Sequence, residues 1–315
     1  MHPAPSIVAF TVASGAGYGL LFLLGLAAPA GLIPPTRALG AAGLGLALGL
    51  ITFGLCASLL HLGHPERAWR ALSQWRSSWL SREGATAALT YLPALLFGAG
   101  WVFFGTTGGW VGLCGVLAAL GAALTVYCTG MIYASLKPIR EWHQPLVPPI
   151  YLGFALMTGA LLLPFLLQLF GAPRAWATAL AILATAFAFG LKGLYWAAIA
   201  RAAPGPTPES ATGLGALGKV RMLEPPHTET NYLLDEMGFR VARRHAAKLR
   251  RYAWLLGLIG AALLSALALL ANGVWVSLLS FLAALSGIAG VVVERWLFFA
   301  EATHTVTLYY DRGAA

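Results

Sequence analysis

Charged residues are absent from two long stretches of this chain. Residues 84–136 contain no Asp, Glu, Lys or Arg, and neither do residues 252–293. A helix needs about 20 predominantly apolar residues to cross a bilayer, so each stretch is long enough for two spans. Gly105-Thr-Thr-Gly-Gly109 divides the first stretch and Asn272-Gly273 the second, since these residues supply turn geometry. Shorter apolar runs predict further spans near 5–28, 40–62, 147–170 and 175–198. The turns between them are Pro29 to Pro35 and Gly171 to Arg174. The pattern therefore predicts an all-α integral membrane protein of eight transmembrane helices, arranged as two four-helix halves. Residues 1–315 form a single polytopic membrane domain.

One long hydrophilic segment interrupts it, residues 201–251. Its first part, with Pro204, Pro206, Pro208, Gly213, Gly215 and Gly218, reads as a loop. Its last part reads as a basic juxtamembrane helix carrying Arg240, Arg243, Arg244, Lys248, Arg250 and Arg251. That helix suits anionic lipid headgroups, a partner subunit, or simple topological anchoring. After the eighth span, Glu294-Arg295 opens a tail running to Tyr310 and Asp311-Arg312.

Composition agrees with the pattern. The chain is 59% hydrophobic and 10% charged, with a mean hydropathy of +0.75. A soluble domain sits near 45–50% apolar and about 25% charged. The net charge of +9 lies at span ends, which speaks for membrane orientation and lipid contact rather than for nucleic acid. The loops after spans two, four and six hold fifteen Lys and Arg, whereas the other face has only Arg37 and Arg174. By the positive-inside rule the first face, with both termini, is cytoplasmic. The first span has no Lys or Arg before it and reads as a retained span rather than a cleavable signal peptide.

Several candidate chemistries fall away. Cys56, Cys114 and Cys128 lie in apolar runs with no paired spacing, and read as buried small hydrophobes. Gly213-Leu-Gly-Ala-Leu-Gly218 matches GxGxxG but follows no strand, so a flexible loop is the better reading. No histidine lies deep within a span, so no haem is expected between paired histidines. His61 and His64 are separated from a regular helix by Pro65, and no metal is expected in this chain.

The stretch His61 to Glu83 is different. It sets two histidines, four arginines, two glutamates and three tryptophans between two apolar runs. Pro65 disfavours a helical His64 and ends the preceding helix. Glu83 falls where the next helix begins, with Ser81 as its expected N-cap. The bland account is a carboxylate matched to the helix dipole. The functional one is a quinone site, whose chemistry moves two protons with two electrons. Histidine exchanges protons near neutral pH, a partly desolvated glutamate joins it, and arginine remains a charged donor. Trp69, Trp75 and Trp79 suit an interfacial belt.

Here the residues resemble the membrane anchor subunit of dimethyl sulfoxide reductase and related molybdopterin oxidoreductases, including sulfite dehydrogenase-like relatives. The likeness rests on His61-Leu-Gly-x-Pro-x-Arg67, on Ser81-x-Glu83, and on Met131-Ile-Tyr-Ala-Ser-Leu-Lys-Pro-Ile-Arg140; with eight spans it covers essentially the whole chain. It implies an anchor in the bacterial inner membrane without a redox centre of its own. The partners would be an iron–sulfur subunit and a molybdopterin catalytic subunit. Menaquinone or ubiquinone would bind at His61, Gly63, Arg67 and Glu83, with Glu83 and His61 moving protons. His64 and the long loop after span six depart from that pattern and leave the partner's substrate open. Two other classes stay in view: a secondary transporter, which would want charge within its spans, and a purely structural anchor. Lys192, expected near a span end, is the nearest thing to an intramembrane charge.

The charge asymmetry makes a topological prediction. Reporter fusions after Asp311 and at Arg174 are expected to report opposite sides of the membrane, the first cytoplasmic; same-side signals refute the layout.

Overall fold

The computed structural model describes residues 3–60, 62–202, 205–221, 223–224 and 241–310. Eight helices within them are long and apolar enough to cross a membrane: α1 (Pro5–Ala27), α2 (Arg37–Leu59), α3 (Trp79–Phe104), α4 (Gly109–Ala134), α5 (Val147–Leu169), α6 (Ala175–Arg201), α7 (His245–Leu270) and α8 (Val274–Ala300). At about 1.5 Å per residue even the shortest exceeds the roughly 30 Å hydrocarbon core. There is no strand among the described residues; one isolated bridge joins Ile139 to His304. The chain is thus an all-α multi-pass membrane protein, as its apolar pattern predicts.

Turn residues end the spans where expected. Gly105 closes α3 with φ 67° and Gly273 precedes α8 with φ 62°, a region glycine enters without steric penalty. Some boundaries differ from the expectation. α2 lies three residues earlier at both ends, at 37–59. α8 continues through Glu294 and Arg295 to Ala300, so these charges are not in a tail: Glu294 is 0% and Arg295 2% exposed. The basic helix begins at Val241 and runs without a break into α7, which is π-helical over Ala253–Gly260. The expected helical stretch from Asn231 to Arg240 lies outside the described residues. The Gly213–Gly218 segment is a loop bearing a short 3-10 turn over Gly215–Leu217.

α1 and α5 are the most enclosed spans. α1 packs on α2, α4 and α5, while α5 packs on α1, α4, α6 and α8. The packing of α1 and α4 on α5 joins the first four spans to the last four. At the α1–α5 crossing, a Cβ on Gly19 would stand 1.7 Å from the Ala155 carbonyl oxygen, and one on Gly159 would stand 2.2 Å from the Gly19 carbonyl carbon. Small residues permit such backbone approach where dispersion rather than hydrophobicity holds helices together. Leucines and phenylalanines such as Leu89, Leu92, Phe103 and Phe187 point outward, as a bilayer solvent requires. Of the cysteines only Cys128 is buried; Cys56 is exposed and Cys114 intermediate, so burial is not their common role.

The face carrying the loops after α2, α4 and α6 is closed by the tail. Thr305 N–H donates to the Pro138 carbonyl at 3.1 Å, and Thr303 N–H to Glu141 Oε2 at 3.0 Å. Trp142 Nε1 donates to the Phe298 carbonyl at 2.9 Å and Tyr195 Oη to the Glu141 carbonyl at 2.8 Å.

The crossing generates a prediction. Gly19→Val or Gly159→Val forces two backbones apart, and overpacking costs about 1–3 kcal/mol or more. Size-exclusion chromatography of fluorescent fusions is expected to show loss of the monodisperse peak. Gly45→Ala, which meets nothing within 4 Å, is expected to keep it.

Candidate functional site

The loop after α2 forms a ten-residue 3-10 helix, Pro65–Gln74, with Pro65 at its first position and no buried residue. Trp69 and Trp75 are exposed on it. Here the structure places Gly63 and Arg67, both exposed. Arg67 Nε lies 3.7 Å from Glu66 Oε1, and His64 Nδ1 lies 3.0 Å from the same oxygen. His61 lies outside the described residues.

α3 starts at Trp79, capped by Ser78, whose hydroxyl accepts from Ser81 N–H at 3.4 Å. Ser81 is therefore not the N-cap, as the sequence suggests, but is buried within the first turn. The helix starts earlier because Ser78 has the extended backbone that a cap needs. Glu83 consequently falls beyond the first turn, where the dipole's influence has faded, and the dipole-matching account of this carboxylate weakens. Arg82 turns outward and fastens the loop to the span. It donates to the carbonyls of Trp75 (2.9 Å) and Arg76 (2.7 Å) and stacks 4.2 Å from the Trp79 ring centroid.

Glu83 itself points into the bundle and is 5% exposed. Thr129 of α4 donates its hydroxyl hydrogen bond to Glu83 Oε1. The same hydroxyl has a second acceptor, the Thr125 carbonyl at 3.0 Å. A hydroxyl carries one proton, so Thr129 can serve an ionised Glu83 or turn to Thr125 when Glu83 carries a proton. The structure thus sets Glu83 inside, at the edge beneath the loop, and Gly63 and Arg67 outside on the same face. Arg67 has its ion pair with Glu66, not with Glu83.

A second charged cluster lies deeper, and the sequence reading missed it. Lys192 of α6 and Glu294 and Arg295 of α8 are all almost fully buried. Lys192 Nζ is 2.6 Å from Glu294 Oε1, and Arg295 Nε donates to Glu294 Oε2 at 2.6 Å. The ammonium stands 3.9 Å from the Tyr195 ring centroid and the guanidinium 4.1 Å from that of Tyr151. Such aromatic faces favour cations. The available signal was the isolated Lys192, a charge that cannot be near a span end when α6 continues nine residues to Arg201. The expectation of spans with almost no charge, and of Lys192 at a span end, is corrected accordingly. The reason is physical: a paired and ring-lined cluster tolerates burial that a lone charge does not.

Between the two groups lies a cavity of about 20 Å³, lined by α1, α4, α5 and α8. Its polar lining includes Ser14, Thr129, Tyr151, Thr158 and Arg295. That is room for about one water. Among the described residues no cluster of three or more His, Cys, Asp or Glu is arranged to hold a metal.

Comparison with known proteins gives a consistent picture. Residues 1–301 match the family model described as DMSO reductase anchor subunit (DmsC). The chain is 32% identical over 335 aligned positions to the sulfite dehydrogenase C subunit of Allochromatium vinosum, with 100% of both chains covered. No solved structure matches it.

The buried cluster makes its own prediction. Glu294→Gln leaves Lys192 and Arg295 side by side without a counter-charge, a loss of about 3–5 kcal/mol. Lys192→Met leaves Glu294 paired with Arg295. Thermal denaturation in detergent is expected to show a large drop in Tm for the first and a small one for the second; equal drops contradict this account of the cluster.

Proposed function

This chain belongs to the DMSO reductase anchor subunit (DmsC) family, and from that premise we propose that it exchanges electrons and protons with membrane quinone on behalf of a cytoplasmic molybdoenzyme. As an anchor subunit it holds a molybdoenzyme complex at the membrane. In our reading an iron–sulfur subunit docks on the face bearing the loop after α2 and the basic start of α7, and carries the molybdopterin subunit. Menaquinone or ubiquinone enters from the bilayer beside α3. His61, Gly63 and Arg67 line the loop side of its site, and Glu83 the bundle side.

The observation that carries this reading is the burial of Glu83. A carboxylate within an apolar bundle is expensive to keep without a task, and this one meets a hydroxyl that adapts to either protonation state. It also lies directly under the loop, where Leu72 packs against Gly84. Arg82 and the tryptophans hold that loop at the interface. A quinone ring held between loop and span exchanges one proton with Glu83 and one with His61, while its tail stays among the outward leucines of α3.

Sulfite is the substrate we favour for the catalytic partner. The relative from Allochromatium vinosum is named as the C subunit of a sulfite dehydrogenase, and the charge asymmetry favours a cytoplasmic docking face. Oxidation of sulfite to sulfate, with water supplying the added oxygen atom, releases two electrons and two protons; reduction of quinone to quinol takes up the same number. Both proton transfers then occur on one face of the membrane.

The test is Glu83→Gln in the assembled complex. Loss of a group that accepts and donates protons costs about 10²–10⁴-fold in rate, and that loss of quinone turnover is expected with assembly intact. Wild-type quinone turnover in an assembled Glu83→Gln complex removes Glu83 from the proton chemistry and leaves it the bland role of a carboxylate near a helix start.

A further inference from the structure

The charges buried in this bundle do not balance within their own cluster. Lys192, Glu294 and Arg295 sum to one positive charge, with both Glu294 oxygens occupied by the two cations. The remaining guanidinium nitrogens of Arg295, Nη1 and Nη2, complete no well-formed protein hydrogen bond among the described residues, although the Tyr151 hydroxyl is close to them and lines the same cavity. Arg295 lines the small cavity, and so does Thr129, whose hydroxyl hydrogen-bonds Glu83. An ionised Glu83 brings the four buried charges to zero.

We propose that Arg295 is the counter-charge of Glu83, acting through one water in this cavity and the Thr129 hydroxyl. Every hydrogen bond in the string then points the same way: the guanidinium donates to the water, the water to Thr129 Oγ1, and Thr129 to the carboxylate. The polarity of the string matches ionised Glu83. When Glu83 takes a proton, Thr129 turns to the Thr125 carbonyl and the string is broken. Lys192 and Glu294 hold Arg295 in position, and the rings of Tyr151, Phe154 and Phe298, at 4.1, 5.2 and 5.1 Å, fix its plane. Arg295 is a positioning residue, for it touches neither Glu83 nor a quinone.

Other titratable groups around Glu83 do not replace it. Tyr18 of α1, Tyr91 of α3, Cys128 and Tyr133 of α4 and Tyr151 of α5 are neutral side chains at neutral pH. Arg82, next in sequence, is committed to the carbonyls of Trp75 and Arg76 on the outside. His64 and Arg67 are exposed in the loop and face Glu66.

The proposal rests on the quinone reading for its purpose, but its test does not. The ionisation of Glu83 is followed by infrared titration of its carboxyl stretching band in the reconstituted complex, the band being assigned by its loss in Glu83→Gln. Arg295→Met leaves Lys192 and Glu294 as a neutral pair and removes the counter-charge. The titration is expected to move up by about one pH unit, and Arg295→Lys to bring it part of the way back. Thr129→Val, which keeps every charge, is expected to move it in the same direction, with Thr129→Ser restoring it. A wild-type titration in Thr129→Val or in an assembled Arg295→Met overturns the proposal, and Thr129→Val decides alone if Arg295→Met does not assemble. Unchanged quinone turnover in Glu83→Gln, alongside a shifted band in Arg295→Met, sinks the role of Glu83 in quinone chemistry and leaves the counter-charge standing.

Discussion

The architecture depends on how closely α1 and α5 approach one another. With Gly19 against Ala155 and Gly159, the two backbones are in contact with no side chain between them. In lipid there is little hydrophobic force to press helices together, so close contact of small residues and their dispersion energy take its place. The remaining spans are arranged around that pair. α4 and α8 both reach α1 and α5, and only because the central pair is so tight do Thr129 and Arg295 come to line one cavity. A second approach of the same kind sets α7 against α8: a Cβ on Gly290 would stand 2.3 Å from the Gly257 Cα. Gly257 lies within the π-helical stretch, and Gly290 is one turn before Glu294.

A bilayer makes charge scarce and therefore informative. Each of the four charges inside this bundle has a specific reason to be tolerated. Glu294 has two cations, Lys192 and Arg295 have Glu294 and aromatic faces, and Glu83 has the hydroxyl of Thr129, which itself lines the cavity. Removing any one partner changes the others' cost, which is why these residues form one system although they come from α3, α6 and α8. All four lie in the part of the bundle nearest the loop-bearing face, where the proposed partner docks and where a quinone ring would meet its electrons.

The division of labour between loop and span follows from their surroundings. Gly63, His64 and Arg67 sit in an exposed segment that water and a docking partner can reach. Glu83 sits behind them, buried against the Thr129 hydroxyl. A loop held by Arg82 and its tryptophans at the interface can change its contacts with a ligand while the carboxylate keeps its place. In the proposed quinone site this puts recognition on the exposed side and proton chemistry on the buried side.

The sequence by itself determined the class, the number of spans and their order, since crossing a bilayer demands about twenty apolar residues and leaves few ways to arrange a chain with so little charge. It also singled out the His61–Glu83 stretch, because charge and tryptophan between two apolar runs stand out by contrast. Helix ends were less legible: Ser78 and Ser81 are both competent caps, and the choice between them rests on backbone geometry that composition does not reveal. Only the tertiary structure decided where the charges of α6 and α8 go. Lys192 and Glu294 are about a hundred residues apart, and nothing local marks them as partners. Glu294-Arg295 at the end of an apolar run reads as the start of a tail until Lys192 and the aromatic rings of Tyr151, Phe154, Tyr195 and Phe298 are placed around it. The physical reason is that burial of charge is governed by compensation, and compensation here comes from other helices, where a pattern read along one chain cannot see it.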